Sequence, residues 1–224
     1  GDLGIEVPYY DVPTIQKMLI KKANLKGIPV ITATQMLLSM TQNERATRAE
    51  ISDVANAVLD GTDVVMLSEE SAVGEDPINV VDTMHNIIAK TEDIYNFDKQ
   101  YKFPYLDEFD VIQATVTKLA DDLKANGILA ITSSGRSAQK MSRYRPKTPI
   151  FTFTHKKKVL NSLTAVWGAE PIGTIKEAQA SKMFQKMLKS LDEIGKLKKD
   201  GLYVATVGYP VGMPGSTNTI KILT

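Results

Sequence analysis

The segment Pro29-Val-Ile-Thr-Ala-Thr-Gln-Met-Leu37 decides which fold the sequence predicts. Its apolar, β-branched start, Val30-Ile31, predicts a buried strand preceded by turn residues. Thr32, Thr34 and Gln35 then place hydroxyl and amide groups at the C-terminal end of that strand. In parallel α/β folds the loops at this end converge on the ligand. Threonine is also favoured in strands for its shape alone. The neighbouring segments are therefore needed to distinguish a ligand-binding strand end from an ordinary strand.

Composition limits the class of protein. The chain of 224 residues is 43% hydrophobic and 24% charged, with a formal net charge of +1, which is ordinary for a soluble globular protein. The near-neutral charge argues against a nucleic-acid partner, and no apolar run approaches the ~18 residues of a membrane span. The absence of cysteine excludes disulfides and thiolate metal sites. We therefore expect a cytoplasmic protein with neither a nucleic-acid nor a membrane partner.

The first part of the chain alternates helices and strands. Apolar spacing predicts strands at 30–31 and 63–67 and helices over 12–24, 48–59 and 76–92. Thr47 and Glu50 match a capping box at the start of the second helix. This βαβα order is that of a (β/α) barrel or a doubly wound sheet. Two strands cannot close a barrel and the chain does not begin with Met, so we expect a piece of a longer protein.

A second α/β unit is predicted after an aromatic linker at 95–105. Its predicted strands are 128–131, 150–154, 170–172, 202–207 and 219–223. Its predicted helices are 110–124, one that ends near 144, 156–165 and 178–197. A Gly- and Pro-rich loop at 208–214 precedes the last strand.

Polar residues follow the predicted strands of the first part: Asp2, Thr34, Gln35, Ser68 and Glu70. A carboxylate among them could hold Mg²⁺, which prefers oxygen ligands, while hydroxyls and backbone amides bind a substrate anion. In the alternative interpretation Asp2 is a turn residue and Glu69 and Glu70 are solvated. Spacing alone leaves both interpretations open, although we expect Glu69 to face solvent.

A second polar cluster, Thr132-Ser-Ser-Gly-Arg-Ser137, lies between a predicted strand and a predicted helix. Free amides and the helix dipole favour an anion there, and Arg136 is a possible two-pronged phosphate donor. Gly135 stands alone, so neither the dinucleotide nor the Walker pattern is met. Ordinary serine capping is the alternative. The loop 211–218 either closes over this cluster or is a mere connection.

Six motifs resemble pyruvate kinase, and the match covers essentially all 224 residues in the right order. They are Gly-Asp-Leu-Gly at 1–4, the segment 29–37, the helix at 47–61, Met-Leu-Ser-x-Glu at 66–70, Ser-Gly-Arg-Ser-Ala at 134–138 with Arg-Tyr-Arg-Pro at 143–146, and Gly-x-Pro-Gly-x-Thr-Asn at 212–218. The resemblance implies an α/β fold in which a partial TIM barrel precedes a three-layer α/β/α domain. Residues 1–92 would be the C-terminal portion of the (β/α)₈ catalytic barrel, and residues 93–224 the effector-binding C-terminal domain.

The resemblance also implies roles in the first cluster. Asp2 matches an aspartate that binds the divalent metal and contacts the substrate, and Gly1 a glycine whose amide holds the carboxylate of phosphoenolpyruvate. Thr34 matches the threonine that binds this carboxylate near the enol carbon, and Ser68 a serine of the last barrel loop that is a candidate for a proton relay. The implied reaction is phosphoryl transfer from phosphoenolpyruvate to ADP, giving pyruvate and ATP, with Mg²⁺ or Mn²⁺ and K⁺ as cofactors.

For the second domain, the resemblance implies a site for a phosphorylated effector. Its residues would be Thr132, Ser133, Ser134, Gly135, Arg136, Ser137, Gly215 and Ser216. Ser133 stands where bisphosphate-activated members often have lysine, which favours a sugar or nucleoside monophosphate. Arg48 would begin a helix at a subunit contact of a homotetramer. Glu69 stands where many members have glycine, which leaves the flexibility of its loop open.

The family's lid domain, the lysine near the transferred phosphate and a metal-binding glutamate would lie before residue 1. We therefore expect the chain alone to be inactive. The alternatives are a stand-alone effector-binding module without catalysis and an unrelated sugar-phosphate isomerase with the same α/β elements.

Overall fold

A computed structural model describes residues 2–97, 104–105, 107–177, 179–208 and 217–224. The chain divides into two compact units, Gly1–Asn96 and Phe97–Thr224. The domain boundary expected from the sequence, after residue 92, stays a prediction. No helix in the described parts is long and apolar enough to span a membrane.

Unit 1 is a run of helices around two short strands. Its elements are α1 (Leu3–Glu6), α2 (Val12–Lys26), β1 (Ile31–Ala33), α3 (Arg48–Asp60), β2 (Val64–Met66), α4 (Glu69–Ala72) and α5 (Pro77–Glu92), with 3-10 turns at Tyr9–Asp11 and Leu38–Thr41. β1 and β2 pair in parallel, with Ile31 opposite Val64 and Ala33 opposite Met66. The predicted βαβα order is therefore present, and α1, for which no helix was predicted, precedes it.

The core of unit 1 lies between the helices α3 and α5 and one face of the strand pair. Its buried members are Met36, Leu37, Met40, Val54, Ala57, Val80 and Met84. The expectation that Ile31 is buried is wrong, because its side chain is 53% exposed. Residues alternate between the two faces of a strand, and Thr32 and Val65 lie on the covered face, so Ile31 and Met66 lie on the open one.

Local sequence explains where α3 begins and ends. The Thr47 hydroxyl accepts a hydrogen bond from the Glu50 amide (3.3 Å), and the Glu50 carboxylate accepts one from the Thr47 amide (2.8 Å). This confirms the predicted capping box, which satisfies two amides that a helix start leaves unpaired. The helix ends at Gly61, whose φ of 95° suits glycine better than any other residue.

Unit 2 is built on a five-stranded sheet in its described residues. Its elements are α6 (Glu108–Asp122), β3 (Gly127–Ile131), α7 (Arg136–Arg143), β4 (Ile150–Thr154), α8 (Lys157–Ser162), a 3-10 turn at Leu163–Ala165, β5 (Ala169–Thr174), α9 (Ala180–Glu193), β6 (Tyr203–Gly208) and β7 (Thr217–Leu223). The strand order is β5-β4-β3-β6-β7, and β7 alone among these runs antiparallel to its neighbour.

Helices cover both faces of this sheet. Val116 and Ala120 of α6 and Met141 of α7 pack on the face that includes Ile128, Ala130, Ile150 and Val204. Met183, Phe184, Met187 and Leu191 of α9 pack on the opposite face, against Leu129, Phe151, Phe153, Tyr203 and Ala205. The predicted three-layer α/β/α architecture is confirmed. The helix predicted to reach 197 ends at Glu193, shortly before the left-handed Gly195.

Candidate functional site

The first candidate site lies where β1 and β2 end. Because Ala33 is paired with Met66 in a parallel ladder, the segments that follow the two strands leave the same edge of the sheet. Thr34 and Gln35 follow β1 directly, and Ser68 follows β2 by two residues. The structure therefore brings the Thr34 and Ser68 loops together, as the sequence predicted.

Thr34 and Gln35 have an unusual backbone conformation. Their φ angles are 72° and 57°, so both lie in the left-handed region, and Thr34 is exposed. A β-branched residue at positive φ is a genuine outlier, and such conformations cost of order 1–3 kcal/mol and gather at active sites and ligand clamps. The chain therefore stores strain at the carboxyl end of β1, at the residue that sequence analysis selected.

Glu70 connects the two loops. Its side chain is fully buried, and its carboxylate accepts hydrogen bonds from the backbone amides of Leu37 (3.1 Å) and Ser68 (2.7 Å). Burial raises the pKa of this carboxyl, but the hydrogen bonds from the amides of Glu70, Ser68, Leu37 and Met36 outweigh it, so the pKa lies below its ordinary value. The ionised group fixes one loop relative to the other.

This finding corrects the interpretation of the glutamate pair. Glu70 is not solvated, and its carboxylate is committed to backbone amides rather than displayed as a metal ligand. Glu69 is exposed, as expected.

A second glutamate, Glu50, supports the same region. Besides capping α3, its carboxylate accepts hydrogen bonds from the amide (2.7 Å) and the hydroxyl (2.5 Å) of Ser39, in the turn that follows the Thr34 loop. Burial raises the pKa of Glu50, but the hydrogen bonds from Ser39 and Thr47 lower it by a larger amount, so the pKa lies below its ordinary value. The capping box was visible in the sequence, whereas the contact with Ser39 was not.

Asp2 is the first residue that the structure describes. It is exposed and precedes α1, without a side-chain capping bond to that helix. The expectation that Asp2 lies at the end of a strand stays a prediction, because the described residues begin at Asp2 itself. Gly1 lies outside the described residues.

The described residues offer part of a magnesium site at most. Across the described ranges no three His, Asp or Glu side chains form a group that could hold a metal ion. Of the two carboxylates considered, Glu70 is committed to amides and Asp2 remains exposed. Since Mg²⁺ is commonly held by one or two carboxylates together with substrate phosphates, Asp2 fits a contributing ligand rather than a complete site.

The second candidate site is the turn from β3 into α7. Thr132 is buried, and its hydroxyl accepts a hydrogen bond from the Gly135 amide at 2.9 Å. Gly135 caps α7 with a φ of 89°, which a residue with a side chain adopts only under strain. Ser133 is partly buried and Ser134 exposed. The turn therefore presents serine hydroxyls at the start of a helix, where an anion is favoured.

The far side of this turn borders β7. The Ser137 hydroxyl, which is buried, lies 3.4 Å from the hydroxyl of Thr217, the first residue of β7. Gly215 and Ser216, expected to complete the site, lie outside the described residues, as does most of the loop 211–218.

Arg136 points its guanidinium at α6. Its Nη2 donates a hydrogen bond to Oδ2 of Asp107 at 2.7 Å, and the group lies 5.0 Å from the ring centroid of Phe109. Sequence analysis expected this side chain as a phosphate donor. The structure shows it paired with a carboxylate of the same chain.

A buried ionic cluster at the other end of α7 was missed by sequence analysis. Arg143 donates hydrogen bonds to the Asp110 carboxylate, to the Tyr144 hydroxyl (3.2 Å) and to the Pro104 carbonyl (3.1 Å). The Lys140 ammonium lies 3.8 Å from Asp110. Burial, and next the Asp110 carboxylate, raise the pKa of Tyr144. The partners are 33 residues apart along the chain, so no local spacing reveals them.

Comparison with known proteins matches each of the two units to a known domain. The family model of the pyruvate kinase barrel domain matches residues 1–81, and that of the pyruvate kinase alpha/beta domain matches residues 110–223. The pyruvate kinase of Lactobacillus delbrueckii subsp. bulgaricus is 42% identical over 99% of this chain and 39% of its own length. Those of Clostridium acetobutylicum and Geobacillus stearothermophilus are each 43% identical over 99% of this chain, and over 48% and 38% of their own lengths.

The chain thus spans less than half the length of these relatives. Within that span, the strand ends of unit 1 and the layered sheet of unit 2 correspond to two consecutive pyruvate kinase domains. The chain belongs to the pyruvate kinase family.

Proposed function

We propose that this chain forms part of an enzyme that transfers a phosphoryl group from phosphoenolpyruvate to ADP, giving pyruvate and ATP. The observation that carries the proposal is the strained Thr34–Gln35 turn at the carboxyl end of β1, beside the Ser68 loop and joined to it by buried Glu70. Ligands of parallel α/β folds bind at this end of the strands. The named pyruvate kinases that this chain resembles support the reaction class.

Each side chain has a distinct task in this proposal. The Thr34 hydroxyl donates a hydrogen bond to the substrate carboxylate, with help from the Gly1 amide. Ser68 is the candidate for passing a proton to the enol carbon. Glu70 touches no reactant in the proposal; it positions both loops through their amides.

Asp2 is the residue of this chain that would hold Mg²⁺ or Mn²⁺, together with ligands from elsewhere. The metal, with K⁺, would supply the charge neutralisation that dominates phosphoryl transfer. Two properties of Asp2 support this role: its side chain is exposed, and its carboxylate supplies the oxygen ligands that Mg²⁺ prefers.

For unit 2 we propose binding of a phosphorylated effector at Thr132, Ser133, Ser134, Gly135, Arg136 and Ser137, with Gly215 and Ser216. The buried bond between Thr132 and the Gly135 amide supports this site, because it fixes the turn that begins α7. In the assembled enzyme, a homotetramer in this proposal, exposed Arg48 on the first turn of α3 would lie at a subunit contact.

A second candidate function is a phosphate-binding module without catalysis. Unit 2 favours it, since residues 97–224 have a layered sheet and a core of their own. The first candidate function predicts turnover that depends on Thr34, whereas the second predicts no turnover.

The test is a chimera in which this chain replaces the matching region of the Geobacillus stearothermophilus relative. We expect the chimera to make ATP from phosphoenolpyruvate and ADP. Thr34→Ala should lower kcat/KM by about 10-fold to 100-fold, the equivalent of one hydrogen bond to a charged group at ~1.5–3 kcal/mol. Thr34→Ser, which keeps the hydroxyl, should retain most activity, and Thr115→Ala on the exposed side of α6 should retain all of it.

An inactive but folded chimera would contradict the catalytic proposal, as would full activity of Thr34→Ala. Phosphate binding by such an inactive chimera would favour the module instead.

A further inference from the structure

Arg136 stands between the proposed phosphate turn and helix α6. It is the first residue of α7, directly after Gly135. Its guanidinium donates to Oδ2 of Asp107 at 2.7 Å and lies over Phe109. The other carboxylate oxygen of Asp107 accepts a hydrogen bond from the Asp110 amide at 2.8 Å and so caps α6. One aspartate therefore caps a helix and holds the cation of the neighbouring turn.

We propose that Asp107 competes with bound phosphate for Arg136. Its carboxylate pairs with the guanidinium that would otherwise bind a phosphate at the 132–137 turn. Binding of a phosphorylated compound then includes an exchange, in which phosphate replaces carboxylate on Arg136. This inference rests on the proposed effector site and concerns how that site is regulated. Asp107 sets the phosphate concentration at which the site fills.

The exposure of the pair permits the exchange. The side chains of Arg136 and Asp107 are 54% and 39% exposed, and exposed ion pairs of this kind contribute little to stability. A phosphate dianion has three strong acceptor oxygens and a larger charge than a carboxylate, and guanidinium binds it in the same forked geometry. Phosphate is therefore able to displace Asp107.

A second Arg–Asp pair between the same two helices shows the contrast. Arg143 and Asp110 have no exposed side-chain surface, so their separation would leave buried charges unpaired, which is strongly destabilising. The fold thus joins α6 to α7 by a buried cluster of Asp110, Arg143 and Lys140 and by the exposed, exchangeable pair of Asp107 and Arg136. The cap on α6 survives the exchange, because Asp107 uses its other oxygen for the Asp110 amide.

The experiment is calorimetric titration of the 224-residue chain with ribose 5-phosphate and with inorganic phosphate. Asp107→Asn removes the competing charge and keeps a residue that caps helices as well as aspartate does. We expect this variant to bind ribose 5-phosphate about fivefold more tightly, which corresponds to ~1 kcal/mol. Asp122→Asn is the matched control: it removes an exposed partner of Lys118 from the same helix with the same change in charge, and should leave the affinity unchanged.

Arg136→Gln tests whether the gain in affinity depends on Arg136. This variant should bind ribose 5-phosphate more weakly than the parent chain, and adding Asp107→Asn to it should bring no gain. Thermal unfolding confirms that each variant is folded, and Asp107→Ser is a second capping substitution if the asparagine variant does not fold.

Tightening by Asp107→Asn that depends on Arg136 supports the competition. Equal affinities of the Asp107→Asn and Asp122→Asn variants would overturn it while leaving the effector site intact, and so would a gain that persists with Arg136→Gln. If neither the parent chain nor Asp107→Asn binds either phosphate, the proposed effector site itself is wrong and the competition falls with it.

Discussion

Asp110 of α6 and Arg143 of α7 form an ion pair in which neither side chain is exposed to solvent. Arg143 extends the contact to the Tyr144 hydroxyl and the Pro104 carbonyl, and Lys140 adds a second cation near the carboxylate. The pair fixes the last turn of the helix whose first turn begins the proposed phosphate site. Its contribution is therefore to position α7 rather than to touch a ligand.

Breaking this pair should destabilise unit 2 strongly. Asp110→Asn leaves the buried guanidinium of Arg143 without its counter-charge, and loss of one partner of a buried pair costs ~3–5 kcal/mol. Urea unfolding of unit 2 measures the difference. Asp122→Asn, which breaks an exposed pair with Lys118 on the same helix, should change the free energy of unfolding by less than ~0.5 kcal/mol. Equal effects of the two substitutions would contradict a structural role for Asp110.

Glu70 makes the free energy of unfolding of unit 1 depend on pH in the acidic range. The hydrogen bonds that outweigh its burial hold its pKa below the ordinary value of 4.5, and the pKa of Glu50 is lowered as well. As the pH falls below about 4.5, the unfolded chain binds protons at these groups before the folded chain does, so the free energy of unfolding falls. The stabilisation is present above that pH and is lost as the pH drops through the folded-state pKa values.

Glu70→Gln tests this assignment. It should lower the free energy of unfolding at pH 7 by ~1.5–3 kcal/mol, because hydrogen bonds to a charged acceptor are lost. It should also flatten the decline of stability below pH 4.5. Glu69→Gln, next to it but exposed, is the control and should do neither.

Local chemistry explains which features sequence could predict. The capping box at Thr47 and Glu50 spans three residues, and the turn at 132–137 directly follows its strand, so both were visible in the order of residues. The pairing of Asp110 with Arg143 depends on how α6 and α7 pack on the sheet. Charged residues on helices are mostly solvated, and nothing in the spacing distinguishes these two from the exposed Lys118 and Asp122.

The same reason explains the error over Glu70. Its position after β2 suggested either a metal ligand or a solvated carboxylate, and both interpretations ignore backbone amides as partners. Only the folded loops show that the amides of Leu37 and Ser68 converge on it. The left-handed conformation of Thr34 was equally hidden, since no sequence rule places a β-branched residue there.

Asp2→Asn should impair turnover in the chimera described above. It removes one negative charge from the proposed metal ligand, and hard cations depend on the charge of their oxygen ligands. We expect kcat to fall at least ~10²-fold, about 2.7 kcal/mol on the barrier, and the Mg²⁺ concentration for half-maximal activity to rise. Glu6→Gln, an exposed carboxylate nearby in sequence, should change neither. Normal turnover of Asp2→Asn at ordinary Mg²⁺ would remove Asp2 from the metal site.

The 224-residue chain alone should not make ATP from phosphoenolpyruvate and ADP. The chain spans only 39% and 48% of the lengths of two relatives named pyruvate kinase, and catalysis of phosphoryl transfer depends on positioning and charge neutralisation together. A coupled assay of chain purified free of contaminating kinase tests this, with the chimera as the positive control. Turnover that follows the chain through purification would contradict the prediction.

Unit 2 should bind a monophosphate better than a bisphosphate. Hydroxyls of Ser133 and Ser134 and the amides at the start of α7 favour one phosphate group, and charge-assisted hydrogen bonds contribute ~1.5–3 kcal/mol each. Several together, after ordering costs, give an expected Kd near the micromolar range, about −8 kcal/mol. Calorimetry with ribose 5-phosphate, AMP, glucose 6-phosphate and fructose 1,6-bisphosphate measures the order of affinities. Ser133→Lys should shift preference towards the bisphosphate by adding a cation, whereas Ser162→Lys, on the exposed surface of α8, should not. A parent chain that already prefers fructose 1,6-bisphosphate would show that Ser133 does not set the specificity.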